Sequence, residues 1–323
     1  MEKKKVLGIS FGKKMGNTDV MIKQALLECE EAGCDIKFIR PDDMNIHICT
    51  GCTACVVGMV SGRGKGECVL KDDFHIIDEA IMESDAIIIG SPVYEMGPTG
   101  NFRVVCDRIG PSHDLSFRKT TYDAGIEVGK DKSLLPDERS FKKRVAALVA
   151  VGGAMTENWV TFALPTMFAF PMSLGMDVID TYKYYGAMAY EHVLGNDKVM
   201  NRMSSLGQNI LTALNAKNEE ERTKWREDHA GICPVCHNDM LTVSHKGMEV
   251  ECPTCGIIGE LKADNGEINV YFLDEQIARS RMTYAGKLEH STEIRTCAVG
   301  PGQIPNLKER KQKYLHVGEY PID

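Results

Sequence analysis

Eight of the 12 cysteines in this 323-residue chain fall into two tight groups of four, and their spacing indicates metal chemistry. In the first group, two gaps of two residues precede a longer gap, and the members are Cys49, Cys52, Cys55 and Cys68. Four thiolates in this arrangement suit a 4Fe-4S cluster, whereas zinc more often takes two separate Cys-x2-Cys pairs. We therefore predict an iron-sulfur cluster, with zinc or a metal-free, redox-active set of thiols as the alternatives.

The second group consists of two Cys-x2-Cys pairs with 15 residues between them, and its members are Cys233, Cys236, Cys252 and Cys255. Two such pairs joined by a β-hairpin are typical of a zinc ribbon. The pairs also resemble those of rubredoxin, which binds iron, although His237 stands where such sites usually have glycine. We predict structural zinc, alternatively iron, in a module too small to fold without its metal.

The other four cysteines have no such spacing, and we expect ordinary thiols at Cys29, Cys34, Cys106 and Cys297. The chain shows no secretory signal. Cysteine-rich chains without one are expected in a reducing compartment, so we expect the protein to be cytoplasmic. A net charge of −8 argues against nucleic acid and anionic membranes as partners. No apolar run is long enough for a membrane span.

Short apolar strands alternate with helical patterns through the first two thirds of the chain. Strands are expected at 3–9, 35–39, 86–90, 145–151 and 177–181, and helices at 17–33, 72–81, 100–109, 159–174 and 197–216. This alternation predicts an α/β fold with a parallel sheet, whose ligands bind beyond the carboxyl ends of the strands. The first cysteine group follows the second strand, so we expect it at that same edge.

Three loops at successive strand ends could hold one ligand. In the first, hydroxyl and amide side chains, glycine and free helix N–H groups form a cradle for phosphate, at Ser10, Gly16, Asn17 and Thr18. A plain helix cap at Asn17 or Thr18 is the alternative. The second loop offers backbone amides beside the apolar surfaces of Tyr94 and Met96, and the third contains the Gly152-Gly153 pair.

With these loops and the first cysteine group, residues 3–215 resemble the flavodoxin-like NADPH-dependent FMN reductase superfamily and, within it, the iron-sulfur flavoproteins. The resemblance implies a doubly wound, five-stranded sheet of order 2-1-3-4-5 that binds FMN, in a homodimer or homotetramer. Its phosphate would lie on the first loop. Its ribityl chain and ring would lie against the other two, at Pro92, Val93, Tyr94, Met96, Gly97, Gly152, Gly153 and Ala154.

Residues 111–144 are too long for an ordinary connection, and we expect an active-site cover, with a disordered excursion as the alternative. Candidates there to bind or protonate a substrate are His113, Asp114, Arg118 and Tyr122, and for each the alternative is an ordinary surface residue.

The expected domains are an FMN-binding domain (1–216, with cluster loop 47–69), a charged helical linker (217–230), a ribbon module (231–273), and a C-terminal helix with a basic tail (274–323).

The leading functional hypothesis is an oxygen-sensitive, FMN-dependent oxidoreductase that carries electrons between FMN and a 4Fe-4S cluster. Ferredoxin and NAD(P)H are both candidate electron donors, since no nicotinamide-binding motif is present. One alternative is an FMN-dependent reductase of a specific organic molecule, with 111–144 as its lid. Another is a redox sensor or scaffold in which the ribbon binds a partner.

Overall fold

Five parallel strands form the main sheet of the protein. The structure, a computed structural model, describes residues 3–299, 304–315 and 317–318. The strands are β1 (Lys5–Ser10), β2 (Asp35–Ile39), β3 (Ala86–Tyr94), the short β4 (Gly97–Pro98), β5 (Val145–Val151) and β6 (Asp177–Tyr184). β4 pairs antiparallel with the end of β3, and the others lie in the order β2-β1-β3-β5-β6. This order confirms the predicted flavodoxin-like sheet.

Helices cover both faces of this sheet. They are α1 (Asn17–Glu31), α2 (Ala54–Val60), α3 (Phe74–Glu83), α4 (Gly100–Ile109), α5 (Leu115–Glu127), α6 (Ala163–Met167), α7 (Ala169–Ser173) and α8 (Asp197–Leu214). One core lies under α1 and α8, and another under α3, α4, α6 and α7. In the described part of the chain, no helix is long and apolar enough to cross a membrane.

The single helix predicted for 159–174 is wrong, because the structure has a turn at Glu157–Val160 followed by α6 and α7. Proline has no N–H, so Pro171 cannot donate a helical hydrogen bond to the carbonyl group of Met167. The short helices bury Met167, Phe168 and Phe170 all the same.

The segment 111–144 is folded and lies at the amino ends of the strands. Its helix α5 buries Phe117 completely. At its end, the Arg144 guanidinium donates hydrogen bonds to the carbonyl groups of Met82 (2.8 Å) and Ser84 (3.1 Å), just before β3 begins. Within one chain the segment therefore does not lie over the carboxyl edge, because α4 carries the backbone away from that edge before the segment starts, and its role as an active-site cover stays a prediction.

The cysteine ribbon is a four-stranded antiparallel sheet that follows α9 (Glu219–Thr223). Its strands are β7 (Thr242–Val243), β8 (Glu249–Glu251), β9 (Ile258–Asp264) and β10 (Glu267–Phe272), in the order β10-β9-β8-β7. The preceding segment follows the edge of the main sheet, where the Arg226 N–H donates to the Ile179 carbonyl group (2.8 Å). The four ribbon cysteines share one core with the helices on that face of the main sheet.

Three helices follow the ribbon, namely α10 (Asp274–Ala278), α11 (Tyr284–Val299) and α12 (Leu307–Gln312). The predicted helix near 274–287 is thus two helices, and the Thr283 hydroxyl caps the second by accepting from the Gly286 N–H (3.1 Å). α11 packs against α5 and α2, with Ile294 in contact with a small core that includes Val56 and Phe117. Helix α11 therefore joins the 111–144 segment to the first cysteine loop.

Candidate active site and metal centre

The first loop after a strand presents the unpaired N-terminus of α1. Gly16 precedes the helix, and no side chain caps its first N–H groups. Lys13 and Lys14 are exposed in the same loop. Free N–H groups at the positive end of a 15-residue helix, next to two lysines, fit a phosphate dianion. The two lysines were not among the residues predicted from the sequence.

Asp19 holds this loop from inside the protein. Its fully buried carboxylate accepts hydrogen bonds from the Ser10 hydroxyl, the Met15 N–H (3.0 Å) and the Arg40 guanidinium (2.8 Å). The Gly12 N–H in turn donates to the Ser10 oxygen (3.2 Å). Ser10 therefore shapes the loop, and its direct contact with a phosphate stays a prediction. The sequence signal that we missed is an acid in the first turn of a helix, with an arginine directly after the next strand.

The second loop is a tight hairpin between β3 and β4. Its two central residues, Glu95 and Met96, have φ angles of 47° and 70°, a left-handed conformation that costs free energy for residues other than glycine. Tyr94 is 64% exposed beside this turn, and a Cβ atom at Gly97 would meet nothing within 4 Å. A flat ligand can therefore approach the backbone here.

The third loop begins with Gly152 and Gly153, where a side chain would clash with Val160 or Met188. A segment at 186–193 lies against it, and the Gly186 N–H donates to the carbonyl group of Ala154 (2.6 Å). That segment is also bonded to the first loop. The His192 ring contacts the Met15 carbonyl group (3.0 Å), and the Val193 N–H donates to the Asn17 side chain (2.9 Å). Sequence reasoning missed this fourth segment, because it has no motif of its own.

We call this carboxyl edge of the sheet, with its loops at 11–16, 91–99, 152–162 and 185–194, the rim. Large apolar side chains are exposed around it, namely Met15, Tyr94, Met155, Trp159, Phe162, Tyr185, Met188, Tyr190 and Leu194. An anion cradle, a glycine-lined approach and a surrounding apolar surface together fit the phosphate and the planar ring of FMN.

The predicted substrate-binding candidates lie elsewhere. The buried His113 ring is held between the Ile109 carbonyl group (2.7 Å) and the Asp78 carboxylate (3.0 Å). Arg118 is also buried, and the Tyr122 hydroxyl donates to Glu138. These residues follow the C-terminal end of α4, about 12 Å along that helix from the rim. In a single chain they hold the 111–144 segment together and do not reach a ligand at the rim.

The first cysteine loop also leaves the rim. Its approach runs alongside α4, from Asp42, which pairs with Asn101, to His47, whose carbonyl group accepts from the Arg108 guanidinium (2.9 Å). The expectation that the first cysteine group shares an edge with the flavin loops is therefore wrong. The loop extends about 10 Å along α4 before Cys49 is reached.

A buried ion pair anchors that loop at both ends. Asp72 accepts from the Arg108 guanidinium (3.0 Å to Oδ1) and from the backbone N–H groups of His47 (2.9 Å) and Phe74 (3.2 Å). The Arg108 hydrogen bond lowers the pKa of Asp72 to about 2. Residues 47 and 72 are thereby fixed on either side of the four cysteines. Of these, Cys49 and Cys52 are exposed, whereas Cys55 and Cys68 are half-buried.

The four ribbon cysteines converge on one point. Their sulfur atoms lie within 4.8 Å of one another, with Cys233 and Cys255 at 3.7 Å and Cys236 and Cys252 at 3.5 Å. A tetrahedral ion with bonds of about 2.3 Å requires sulfur separations of about 3.8 Å, so this group fits a single metal ion. Among the described residues, no other set of three or more Cys, His, Asp or Glu ligands converges so closely.

Comparison with known proteins agrees with this site. Residues 5–190 match the family described as NADPH-dependent FMN reductase. The chain is 30% identical to the flavone synthase cfoJ of Aspergillus candidus, over 97% of this chain and 95% of that protein. A solved flavone reductase structure superposes with a TM-score of 0.80 and 25% identity, covering 99% of both chains.

A narrower similarity links the chain to the iron-sulfur flavoproteins. One from Archaeoglobus fulgidus is 34% identical over 116 residues, which is 36% of this chain and 50% of that protein. Because the family match covers more than half of the chain and the cfoJ alignment nearly all of it, the chain belongs to the NADPH-dependent FMN reductase family and is a flavin-dependent oxidoreductase.

Proposed function

We propose that this protein is an FMN-dependent oxidoreductase that adds hydrogen to, or removes it from, the C–C bond of a flavone-like substrate. The observation that carries the proposal is the end-to-end similarity to a flavone synthase and a flavone reductase. Both alignments include the ribbon and the 111–144 segment, whereas the iron-sulfur flavoprotein match covers only about a third of the chain. This favours a reductase of a specific molecule over a general electron carrier.

The rim suits such a substrate. A flavone is a planar aromatic ketone whose reducible double bond is conjugated with its carbonyl group. Reduction adds a hydride to the carbon far from the carbonyl and a proton to the carbon next to it, and bound FMN supplies the two-electron chemistry. The exposed aromatic and methionine side chains of the rim, such as Tyr94, Trp159 and Met188, provide flat apolar surface for the rings and exclude water from them.

The experiment is product analysis without oxygen. The protein is loaded with FMN and incubated with flavone and either NADPH or NADH, and the products are weighed by mass spectrometry. We expect a product heavier by two hydrogen atoms, and the comparison of the two nucleotides identifies the donor. Free FMN with the same nucleotides, but without protein, is the control. Unchanged flavone with both donors, together with unchanged flavanone when oxidised enzyme is supplied, contradicts the proposal.

The two cysteine groups receive different metals in this proposal. The ribbon geometry supports one tetrahedral ion, and zinc is our assignment, with rubredoxin-type iron as the alternative. The spacing of the first group and the names of the shorter relatives support a 4Fe-4S cluster at Cys49, Cys52, Cys55 and Cys68. Electron exchange between that cluster and FMN is the second candidate function. Iron analysis after purification without oxygen tests whether the cluster required for this exchange is present, and about four irons per chain are expected.

A further inference from the structure

A groove with a volume of about 840 Å³ runs along the outer edge of β6. One wall is the turn and helix after the third rim loop, including Thr161, Leu164 and Pro165. The floor is the end of β6 with Tyr185, and the opposite wall is the ribbon segment 237–241. Its volume lies within the range of pockets that hold small organic molecules.

The groove is continuous with the rim. Tyr185 lines it, and the next residue, Gly186, donates its N–H to the Ala154 carbonyl group in the third rim loop (2.6 Å). Glu157 lies three residues after Ala154, lines the groove and pairs with Lys183. From Tyr185 back to Thr181, the strand gives a floor about 13 Å long. A rigid molecule with one end at the rim could therefore extend its other end into the groove.

The ribbon supplies a positioned polar group to this groove. The His229 Nε2 atom lies 2.8 Å from the Asp239 carboxylate, whose other oxygen accepts the Ile232 N–H (3.1 Å). His229 is exposed, and its Nδ1 atom makes no hydrogen bond to any residue that the structure describes. An imidazole oriented by a carboxylate can donate or accept a hydrogen bond at its free nitrogen.

The cysteine cluster fixes the wall that carries these groups. Asn238 donates from its side chain to the Cys236 sulfur (3.4 Å), and its carbonyl group accepts the Cys233 N–H (3.1 Å). The His237 ring stacks on Trp225 with ring centroids 4.0 Å apart. The metal-binding segment thus sets the position of residues 237–241, which gives the ribbon a role at the site besides its own folding.

The lining combines apolar with polar and charged side chains, and two of the charged ones, Glu157 and Lys183, pair with each other. Leu164, Pro165, Met240 and Leu241 provide apolar contact surface, and His229 lies beside it. We propose that this groove binds the hydroxyl-bearing ring of the substrate, with His229 as its hydrogen-bond partner, so that the ribbon determines substrate specificity. This inference rests on the proposed flavone-type function.

The first test compares two substrates in the FMN-loaded enzyme. Apigenin carries phenolic hydroxyls and flavone has none. Loss of one hydrogen bond to a charged or polarised group is worth about a tenfold change in affinity. We expect His229→Asn to raise the ratio of the apigenin KM to the flavone KM about tenfold. His245→Asn is the matched control, since His245 is an exposed histidine on the ribbon outside the groove. An unchanged ratio in His229→Asn overturns the proposal.

The second test measures binding without turnover. The chain has two tryptophans, and both flank the groove, with Trp159 in the turn beside Glu157 and Trp225 stacked on His237. Titration of oxidised holoenzyme with apigenin should quench their fluorescence, with about tenfold weaker binding in His229→Asn. If apigenin binds in this way but neither apigenin nor flavone is reduced, and flavanone is not oxidised, the groove stands and the proposed function fails. If it is reduced with the same affinity in both proteins, the groove proposal fails. Absence of binding and turnover overturns both.

Discussion

The Lys287 ammonium group lies 3.6 Å from the Asp114 carboxylate, and both side chains are almost completely buried. Burial lowers the pKa of Lys287, while Asp114 favours its charged form. Asp114 also caps α5 by accepting the Phe117 N–H (3.0 Å), and the Ser116 hydroxyl donates to the Lys287 carbonyl group (2.7 Å). These contacts fasten helix α11 to the 111–144 segment.

Replacing Asp114 should therefore be costly. Asp114→Ala leaves the buried Lys287 ammonium unpaired and removes a helix cap, and we expect the free energy of unfolding to fall by about 3 to 5 kcal/mol. Urea unfolding followed by circular dichroism measures this loss. Adding Lys287→Met to that variant removes the unpaired charge and should recover part of the stability. A loss below about 1 kcal/mol for Asp114→Ala would show that the pair does not fasten the helix.

Stability should decrease in acid because of Asp72. Its pKa is about 2, against an ordinary 3.8, because Arg108 favours the carboxylate. Between these values the folded state binds fewer protons than the unfolded state, so stability rises with pH. A contribution of about 2 kcal/mol is present at neutral pH and is lost as the pH falls towards 2.

Comparison of wild type with Asp72→Asn at pH 7 and pH 3 by urea unfolding tests this linkage. The stability advantage of the wild type should be smaller at pH 3, and an advantage that is equal at both values contradicts it. Asp35→Asn, at an exposed carboxylate on β2, is the control.

The sheet could be predicted from the sequence because strand and helix patterns alternate along the chain, and because β1, β3 and β5 are short apolar runs, each followed by a turn or loop before the next helix. The boundaries of helices were harder to predict where a single local interaction determines them. Pro171 interrupts a continuous apolar pattern without changing its hydrophobicity, and Thr283 begins a helix inside a stretch that already looked helical. Such breaks depend on single hydrogen bonds, to which hydrophobic periodicity is insensitive.

The site was predictable only where the chain itself brings residues together. Glycines and hydroxyls directly after strands identified the rim loops, and paired cysteines identified the ribbon. The position of the first cysteine group was not predictable, because it depends on the contact between Arg108 and Asp72, which are 36 residues apart. Likewise, the groove is formed by β6 and by a ribbon that begins about fifty residues later in the chain. No local pattern in the sequence indicates that these two elements lie together.

FMN affinity should depend on Asp19, which no motif identified. Asp19→Asn weakens the hydrogen bonds that hold Ser10 and Met15, so the phosphate cradle loses its shape, and we expect FMN to bind at least about tenfold more weakly. Quenching of FMN fluorescence on binding to the apoprotein measures this constant. Asp35→Asn should bind FMN as the wild type does. If Asp19→Asn also does so, Asp19 has no part in shaping the cradle.

The two cysteine groups should respond differently to substitution. Cys252→Ser removes one of the four buried, converging thiols of the ribbon, so we expect loss of the proposed zinc and a lower melting temperature. Cys52→Ser, at an exposed position, should leave the fold and the FMN in place while iron is lost. Metal analysis and thermal unfolding separate these outcomes, and loss of iron from Cys252→Ser in a folded protein would reassign the ribbon as a rubredoxin-type site.

Exchange of hydrogen between bound FMN and a flavone-like molecule can be followed in a single-turnover reaction. The FMN-loaded enzyme is reduced without oxygen by one equivalent of NADPH or dithionite and then mixed with flavone, while the flavin absorbance is recorded. The oxidised flavin spectrum should return while one equivalent of flavanone forms, or, in the reverse direction, flavanone should bleach the oxidised flavin. A reduced flavin that is stable to flavone, in an enzyme whose oxidised flavin is also stable to flavanone, would contradict the proposed exchange.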